Sequence, residues 1–189
     1  ANMFCATVSK KGERYLETRI DINKIPLAFC SQLANDISVY GAQWRDDEFH
    51  PRYDVKYKEY IYRIYNRRER SPFEEGLSLH YPKVISDERI REMNDAAQRF
   101  IGKHDFSAFM AQGSKVVSTV RTVYYASVER QGDVITFKVA ADGFLYNMVR
   151  IMAGTLICVA EGKIRPEDIE KIIDSKDRSR AGITAPACG

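Results

Sequence analysis

The chain has 189 residues, of which 44% are apolar, a value typical of a folded globular protein that excludes a disordered chain. Its net charge is only +3, from 29 basic and 26 acidic residues, so charge alone does not establish nucleic-acid binding. No apolar run is long enough to cross a bilayer, and we expect no membrane association.

The first 52 residues predict a strand, a helix and a second strand. Residues 2–8 alternate weakly and favour a strand. Residues 25–33 predict a helix, because Pro26 suits a first helical turn and the apolar side chains recur at helical spacing. Residues 37–44 are β-prone and predict the second strand. The polar run RDDEFHPR at 45–52 then predicts a connector and a domain boundary.

The remaining residues predict a strand, a helix, two strands and two more helices. The clearest strand is 57–66, followed by a helix that Ser86 caps and Gly102 ends. A hairpin follows at 119–129 and 134–141, and the helices are 146–161 and a short one opened by Pro166. The run at 104–109 predicts a short helical turn. This order predicts an α+β fold, with an antiparallel sheet and helices on one face.

Cysteines and histidines are dispersed. The four cysteines form no CxxC pair, which argues against a metal site or a disulfide framework and favours the reducing cytoplasm. The three histidines lie far apart in the sequence, and no glycine-rich phosphate-binding motif occurs. These patterns do not suggest a metal site.

Arg150 is the most informative charged residue, because it lies between Met148-Val149 and Ile151-Met152 in an apolar helix. A guanidinium cannot lose its proton, and burying it unpaired is costly, so it needs an anion. No carboxylate in the chain is an obvious partner. The alternative is that Arg150 extends to solvent or pairs with a nearby Asp or Glu, and the sequence leaves both possibilities open.

Basic and aromatic residues alternate between Arg52 and Arg70, where Lys58 and Tyr60 share one face of the predicted strand. Cations neutralise phosphates and aromatic rings stack on unpaired bases, so this segment could bind RNA; the alternative, which the charge pattern leaves open, is a solvated strand followed by a charged turn. Tyr60 could stack on a base or move a proton, although a half-buried sheet tyrosine is the structural alternative. Arg121, which begins a strand, faces either a phosphate or solvent.

Together these runs resemble the TruA family of tRNA pseudouridine synthases. The matching segments occur in the family's order and cover essentially the whole chain: FHPRYDVKYKEYIYRIYN (49–66), FIGKHDFSAF (100–109), STVRTV (118–123), DGFLYNMVRIMAGTL (142–156) and DRSRAGITAPACG (177–189). The GFLYNMVR run combined with the terminal AGITAPA run is specific to the family. The resemblance implies the pseudouridine synthase fold, with residues 1–48 as the remnant of an N-terminal domain and 49–189 as the C-terminal domain.

The resemblance also implies an activity and a set of site residues. The activity is isomerisation of uridine to pseudouridine at nucleotides 38 to 40 of the tRNA anticodon stem-loop, by a cytoplasmic homodimer without metal or cofactor. Tyr60 matches the tyrosine that contacts the target base, and Arg150 matches the arginine that pairs with the catalytic aspartate. Phe49, His50 and Arg52 match a segment near the RNA path.

One departure from the family concerns the nucleophile, the Asp of an RTDAGVH-like motif, which does not occur in these residues. We therefore expect an N-terminally truncated fragment that is inactive alone and self-associates to cover its exposed sheet surface. The alternatives are a non-catalytic RNA-binding α+β domain, which leaves Arg150 unexplained, and a small-molecule enzyme or oligomeric structural domain without tRNA binding.

Overall fold

The computed structural model describes residues 21–46, 48–51, 53–113 and 116–189, and the backbone of two short strands at 9–10 and 13–14. The chain divides into two compact units, Ala1–Val55 and Lys56–Gly189. The predicted strand at 2–8 lies outside the described residues. The assignment of 1–48 and 49–189 to two family domains stays a prediction.

The described residues of the first unit contain little regular structure. Strands β1 (Ser9–Lys10) and β2 (Glu13–Arg14) pair antiparallel. A 3-10 turn at Ile22–Lys24 runs into helix α1 (Ile25–Cys30), which begins at the predicted place with Pro26 in its first turn. The predicted strand at 37–44 was wrong. These residues form no strand, because β-prone side chains alone do not make one and no described segment pairs with them.

The second unit is built on a five-stranded sheet. Its strands are β3 (Lys58–Tyr65), β4 (Leu79–His80), β5 (Gly102–Asp105), β6 (Val120–Gln131) and β7 (Val134–Ala141), in the order β4-β3-β7-β6-β5. The predicted strand at 57–66 and the predicted hairpin are confirmed. The sheet is mixed rather than wholly antiparallel, since β4 pairs parallel with β3. His104 and Asp105, predicted in a helical turn, lie in β5, and the turn itself is Ser107–Phe109.

Three helices carry the apolar side chains that cover the sheet. They are α2 (Asp87–Gln98), α3 (Met148–Ala160) and α4 (Asp168–Ser175). Ser86 caps α2 as predicted, because its side chain accepts a hydrogen bond from the Arg89 backbone N–H. Their buried residues form one core with the inward side chains of β3, β6 and β7, among them Ile64, Phe137 and Val128. The expected α+β class is confirmed.

The other face of the sheet is more exposed. Side chains alternate across a strand, so Ile61 lies on the face opposite Tyr62, and it is 50% exposed whereas Tyr62 is 3% exposed. Tyr125 of β6 is also exposed on this outer face, and it pairs across the ladder with Ala140. Only the inner face therefore contributes to the core.

Candidate active site

The site begins at a sharp turn that starts helix α3. Asn147, the residue before the helix, has φ 57° and ψ 13°, a left-handed conformation that asparagine adopts more readily than most residues. The turn follows Phe144 and Leu145 directly, and it places Arg150 in the first turn of α3. An arginine at this position adds its charge to the positive end of the helix dipole, and both attract an anion.

Arg150 is fixed by three hydrogen bonds to its surroundings. Its Nε donates to the Ala185 carbonyl oxygen at 2.7 Å, and its Nη1 donates to Asn147 Oδ1 at 3.2 Å. Its own carbonyl oxygen accepts from the Ala185 N–H at 3.0 Å. Within the described part of the chain Arg150 forms no ion pair, and its Nη2 makes no hydrogen bond. The guanidinium is thus held in place while one of its amino groups remains available to an anion.

Tyr60 lies on the inner face of β3 but is half exposed. Its ring packs edge-to-face on Phe144, with ring centroids 5.1 Å apart and planes at 85°. Phe144 belongs to the run that leads into the Asn147 turn. The predicted stacking tyrosine and the predicted arginine are therefore attached to the same short segment, 144–150.

Tyr62 connects Tyr60 to the end of the chain. It lies two residues further along β3 on the same face, is almost fully buried, and donates its hydroxyl to the Pro186 carbonyl oxygen at 2.8 Å. Burial raises the pKa of Tyr62 to about 12, although the nearby Arg150 charge acts in the opposite direction. Its hydroxyl therefore stays protonated at neutral pH and serves as a fixed donor. Residues 182–186, which Arg150 and Tyr62 both hold, are called the strap below.

Arg121 and Lys58 lie on the same unit as Tyr60. Arg121 donates from Nη1 to the backbone carbonyls of Ser118 and Val120, and its side chain lies against Gly143, the residue before Phe144. Lys58 precedes Tyr60 by two residues on β3 and is partly buried. The structure thus brings Arg121 close to the Tyr60–Phe144 corner, while the RNA-binding roles of Arg121 and Lys58 stay predictions.

The other predicted RNA-binding residues are Phe49, His50 and Arg52, all in the first compact unit. Arg45 packs over the Phe49 ring at 5.2 Å, and the His50 and Tyr53 rings are 4.4 Å apart. Arg52 lies outside the described residues. The roles of Phe49, His50 and Arg52 stay predictions.

Sequence reasoning missed Asn147, Tyr62 and the strap. Asn147 is distinguished by its left-handed backbone and by its hydrogen bond to Arg150, neither of which is visible in a sequence. Tyr62 is distinguished from Tyr60 by its burial. The small residues of the strap and of the Ala153-Gly154-Thr155 run were a usable signal, because glycines in facing segments permit close approach of backbones. Among the described residues, no three His, Cys, Asp or Glu side chains come together as metal ligands would, and no helix could span a membrane.

Comparison with known proteins places this chain in a class of RNA-modifying enzymes. The family described as tRNA pseudouridine synthase matches residues 96–189, which include Arg121, Arg150 and the strap. Its members are isomerases.

Curated relatives named tRNA pseudouridine synthase A extend the match towards the N-terminus. The protein of Thermoanaerobacter sp. (strain X514) is 46% identical over 172 residues, covering 91% of this chain and 69% of the relative. That of Acetivibrio thermocellus is 44% identical over 168 residues, covering 88% and 67%. That of Clostridium botulinum is 40% identical over 186 residues, covering 98% and 71%. The chain belongs to the tRNA pseudouridine synthase A family.

Proposed function

We propose that the protein isomerises uridine to pseudouridine in the anticodon stem-loop of tRNA, with Tyr60 and Arg150 in its active site. The observation that carries the site assignment is the fixed guanidinium of Arg150. It has one amino group free of hydrogen bonds, and it pairs with no carboxylate among the described residues. A cation held in this way is suited to receive an anion from outside these residues.

In the proposed reaction, that anion is an aspartate carboxylate contributed from outside the 189 residues. The reaction breaks the bond from uracil N1 to the ribose C1′ and forms a bond from C5 to C1′. An adjacent guanidinium lowers the pKa of a carboxylate by roughly 1–3 units, so Arg150 keeps the aspartate ionised in a water-poor cleft. The carboxylate can then assist cleavage of the glycosidic bond.

Tyr60 acts on the base itself. A base within a stem must be flipped out, at a cost of a few kcal/mol, and stacking on an aromatic ring contributes about 1–3 kcal/mol towards this cost. The half-exposed Tyr60 ring offers such a surface. After C5 has bonded to the ribose, its proton must leave, and the Tyr60 hydroxyl relays it to solvent. Arg121, Lys58, Phe49, His50 and Arg52 are proposed to contact the tRNA.

The test uses the chain joined to the parts of the Thermoanaerobacter relative that the match does not cover, called the completed chain below. Tritium at uridine C5 of a labelled tRNA is lost to water only when C5 gives up its proton. We expect the completed chain to release tritium from this tRNA, and we expect tRNA binding to weaken as salt is raised, because phosphate contacts release counterions.

The Thermoanaerobacter relative and the 189-residue chain are the controls. We expect the chain to bind tRNA and to release no tritium. Salt-dependent binding without release by the completed chain would contradict the proposal and favour a non-catalytic RNA-binding domain. Absence of any salt-dependent tRNA binding would exclude both the proposed synthase and a non-catalytic RNA-binding domain.

We further propose that the protein acts in the cytoplasm as a homodimer. Support comes from the outer face of the sheet, where exposed Ile61 and Tyr125 are flanked by Lys138 and Glu129, a mixture of apolar and opposite charges that can match a second copy. Light scattering of the 189-residue chain is expected to give about twice 21.7 kDa, and Ile61→Asp to give the single mass. A single mass for the unsubstituted chain would contradict the dimer.

A further inference from the structure

The strap lies directly on helix α3, at the turn that follows Arg150. A Cβ placed on Gly154 would overlap the carbonyl oxygen of Ile183, and a Cβ on Gly182 would approach Thr155 Cα to 2.6 Å. Real Cβ contacts of this kind do not occur, so the two backbones meet at a distance that only glycine allows at these positions. Any larger side chain at Gly154 must displace the strap.

Thr155 adds a specific polar contact to this close approach. Its hydroxyl is fully buried, donates to the Ile151 carbonyl oxygen at 2.8 Å and accepts from the Gly182 N–H at 2.9 Å. A buried backbone N–H without an acceptor is costly, so the Thr155 hydroxyl determines where the strap begins. Arg178 supports the same turn, because its guanidinium donates to the Gly182 carbonyl and to Thr184 Oγ1.

The far end of the strap carries the carbonyl that orients Arg150. Ala185 is buried, and it both accepts from Arg150 Nε and donates to the Arg150 carbonyl. Only Ile183 and Thr184 separate this double contact from the Thr155–Gly182 contact, and Tyr62 holds the next carbonyl, that of Pro186. The direction of the guanidinium therefore depends on where α3 holds the strap, one helical turn beyond Arg150.

We propose that Thr155 and Gly154 are positioning residues of the active site, which fix the Arg150 guanidinium by holding the strap against helix α3. Neither residue touches the substrate in this arrangement. Their effect on the strap is independent of the activity, whereas their effect on turnover rests on the proposed function.

The first experiment measures the strap contact in the 189-residue chain. The Arg150 Nε–H resonance, assigned by its loss in Arg150→Lys, reports the hydrogen bond to Ala185. Thr155→Val removes the hydroxyl with little change in shape, and Thr155→Ser keeps it. In Thr155→Val we expect solvent exchange of the Nε proton to become at least about tenfold faster, a change equivalent to about 1.4 kcal/mol in the free energy of opening the hydrogen bond. In Thr155→Ser we expect the exchange rate to stay near the original.

The second experiment measures the consequence for catalysis in the completed chain. A misdirected guanidinium stabilises the ionised carboxylate less, so the carboxylate pKa rises. As the pH is lowered, the carboxylate is then protonated earlier, and activity begins to fall at a higher pH than in the unsubstituted protein. Buried Tyr62, which faces Arg150, stays protonated and does not titrate in that range. We expect the acidic limb of the rate profile to move up by about one pH unit in Thr155→Val and in Gly154→Ala, and not in Thr155→Ser.

A purely structural role would lower the amount of folded protein without moving the pH profile. An unchanged exchange rate in folded Thr155→Val, or an unchanged acidic limb, overturns the proposal. If Gly154→Ala does not fold, Thr155→Val and Thr155→Ser still decide it. A completed chain that releases no tritium defeats the proposed function alone, because the exchange measurement still decides whether Thr155 fixes Arg150.

Discussion

Replacing Arg150 with methionine is expected to lower turnover of the completed chain by about 10²–10³-fold, the loss measured when one preorganised electrostatic group is removed from an active site. Methionine keeps most of the length of the side chain and removes its charge. The carboxylate that Arg150 stabilises then has a higher pKa, and less of it is ionised at neutral pH. Single-turnover tritium release from uridine-labelled tRNA measures the effect.

Binding of tRNA by Arg150→Met is expected to remain within a fewfold of the original, because the proposed partner of this guanidinium is a carboxylate and not a phosphate. Arg165→Met is the matched control, since Arg165 is an exposed arginine paired with Asp168 and its loss is expected to leave turnover unchanged. Arg150→Lys keeps the charge but lacks the planar, forked guanidinium. Its turnover is expected to lie between that of Arg150→Met and that of Arg165→Met. Unchanged turnover in Arg150→Met would reject the pairing role.

The sheet shows which parts of the fold the sequence could specify. Strand β3 and the β6–β7 hairpin were predicted because their alternation continues over eight or more residues, and one face of each is buried. Strands β4 and β5 were missed because two and four residues are too few to show a period. The false strand at 37–44 shows the converse, since its β-prone residues find no neighbouring strand among the described residues.

Prediction of the site was limited by distance along the chain. Arg150 was recognisable because a charge within an apolar helix is rare, yet its Nε donates to the carbonyl of a residue 35 positions later. A backbone carbonyl has no signature in a sequence, so no residue pattern could have pointed to Ala185. Asn147 was invisible for a similar reason, because its left-handed conformation results from the turn that joins Leu145 to α3.

Replacing Tyr60 with phenylalanine separates the two roles that the structure allows for this residue. Phenylalanine keeps the aromatic surface and the contact with Phe144, so tRNA binding is expected to be unchanged. It removes the hydroxyl, and loss of a positioned proton-transfer group lowers turnover by about 10²–10⁴-fold. Tyr60→Ala is expected in addition to weaken tRNA binding by about 1–3 kcal/mol, because stacking is lost as well.

The control for Tyr60→Phe is Tyr124→Phe, which removes a hydroxyl from a comparably exposed tyrosine of strand β6 in the same sheet. Its turnover is expected to match that of the unsubstituted completed chain. The hydroxyl of Tyr62 cannot replace that of Tyr60, because it is buried and committed to the Pro186 carbonyl. Full turnover in Tyr60→Phe would therefore mean that Tyr60 serves only as a stacking surface, and that a different group removes the C5 proton.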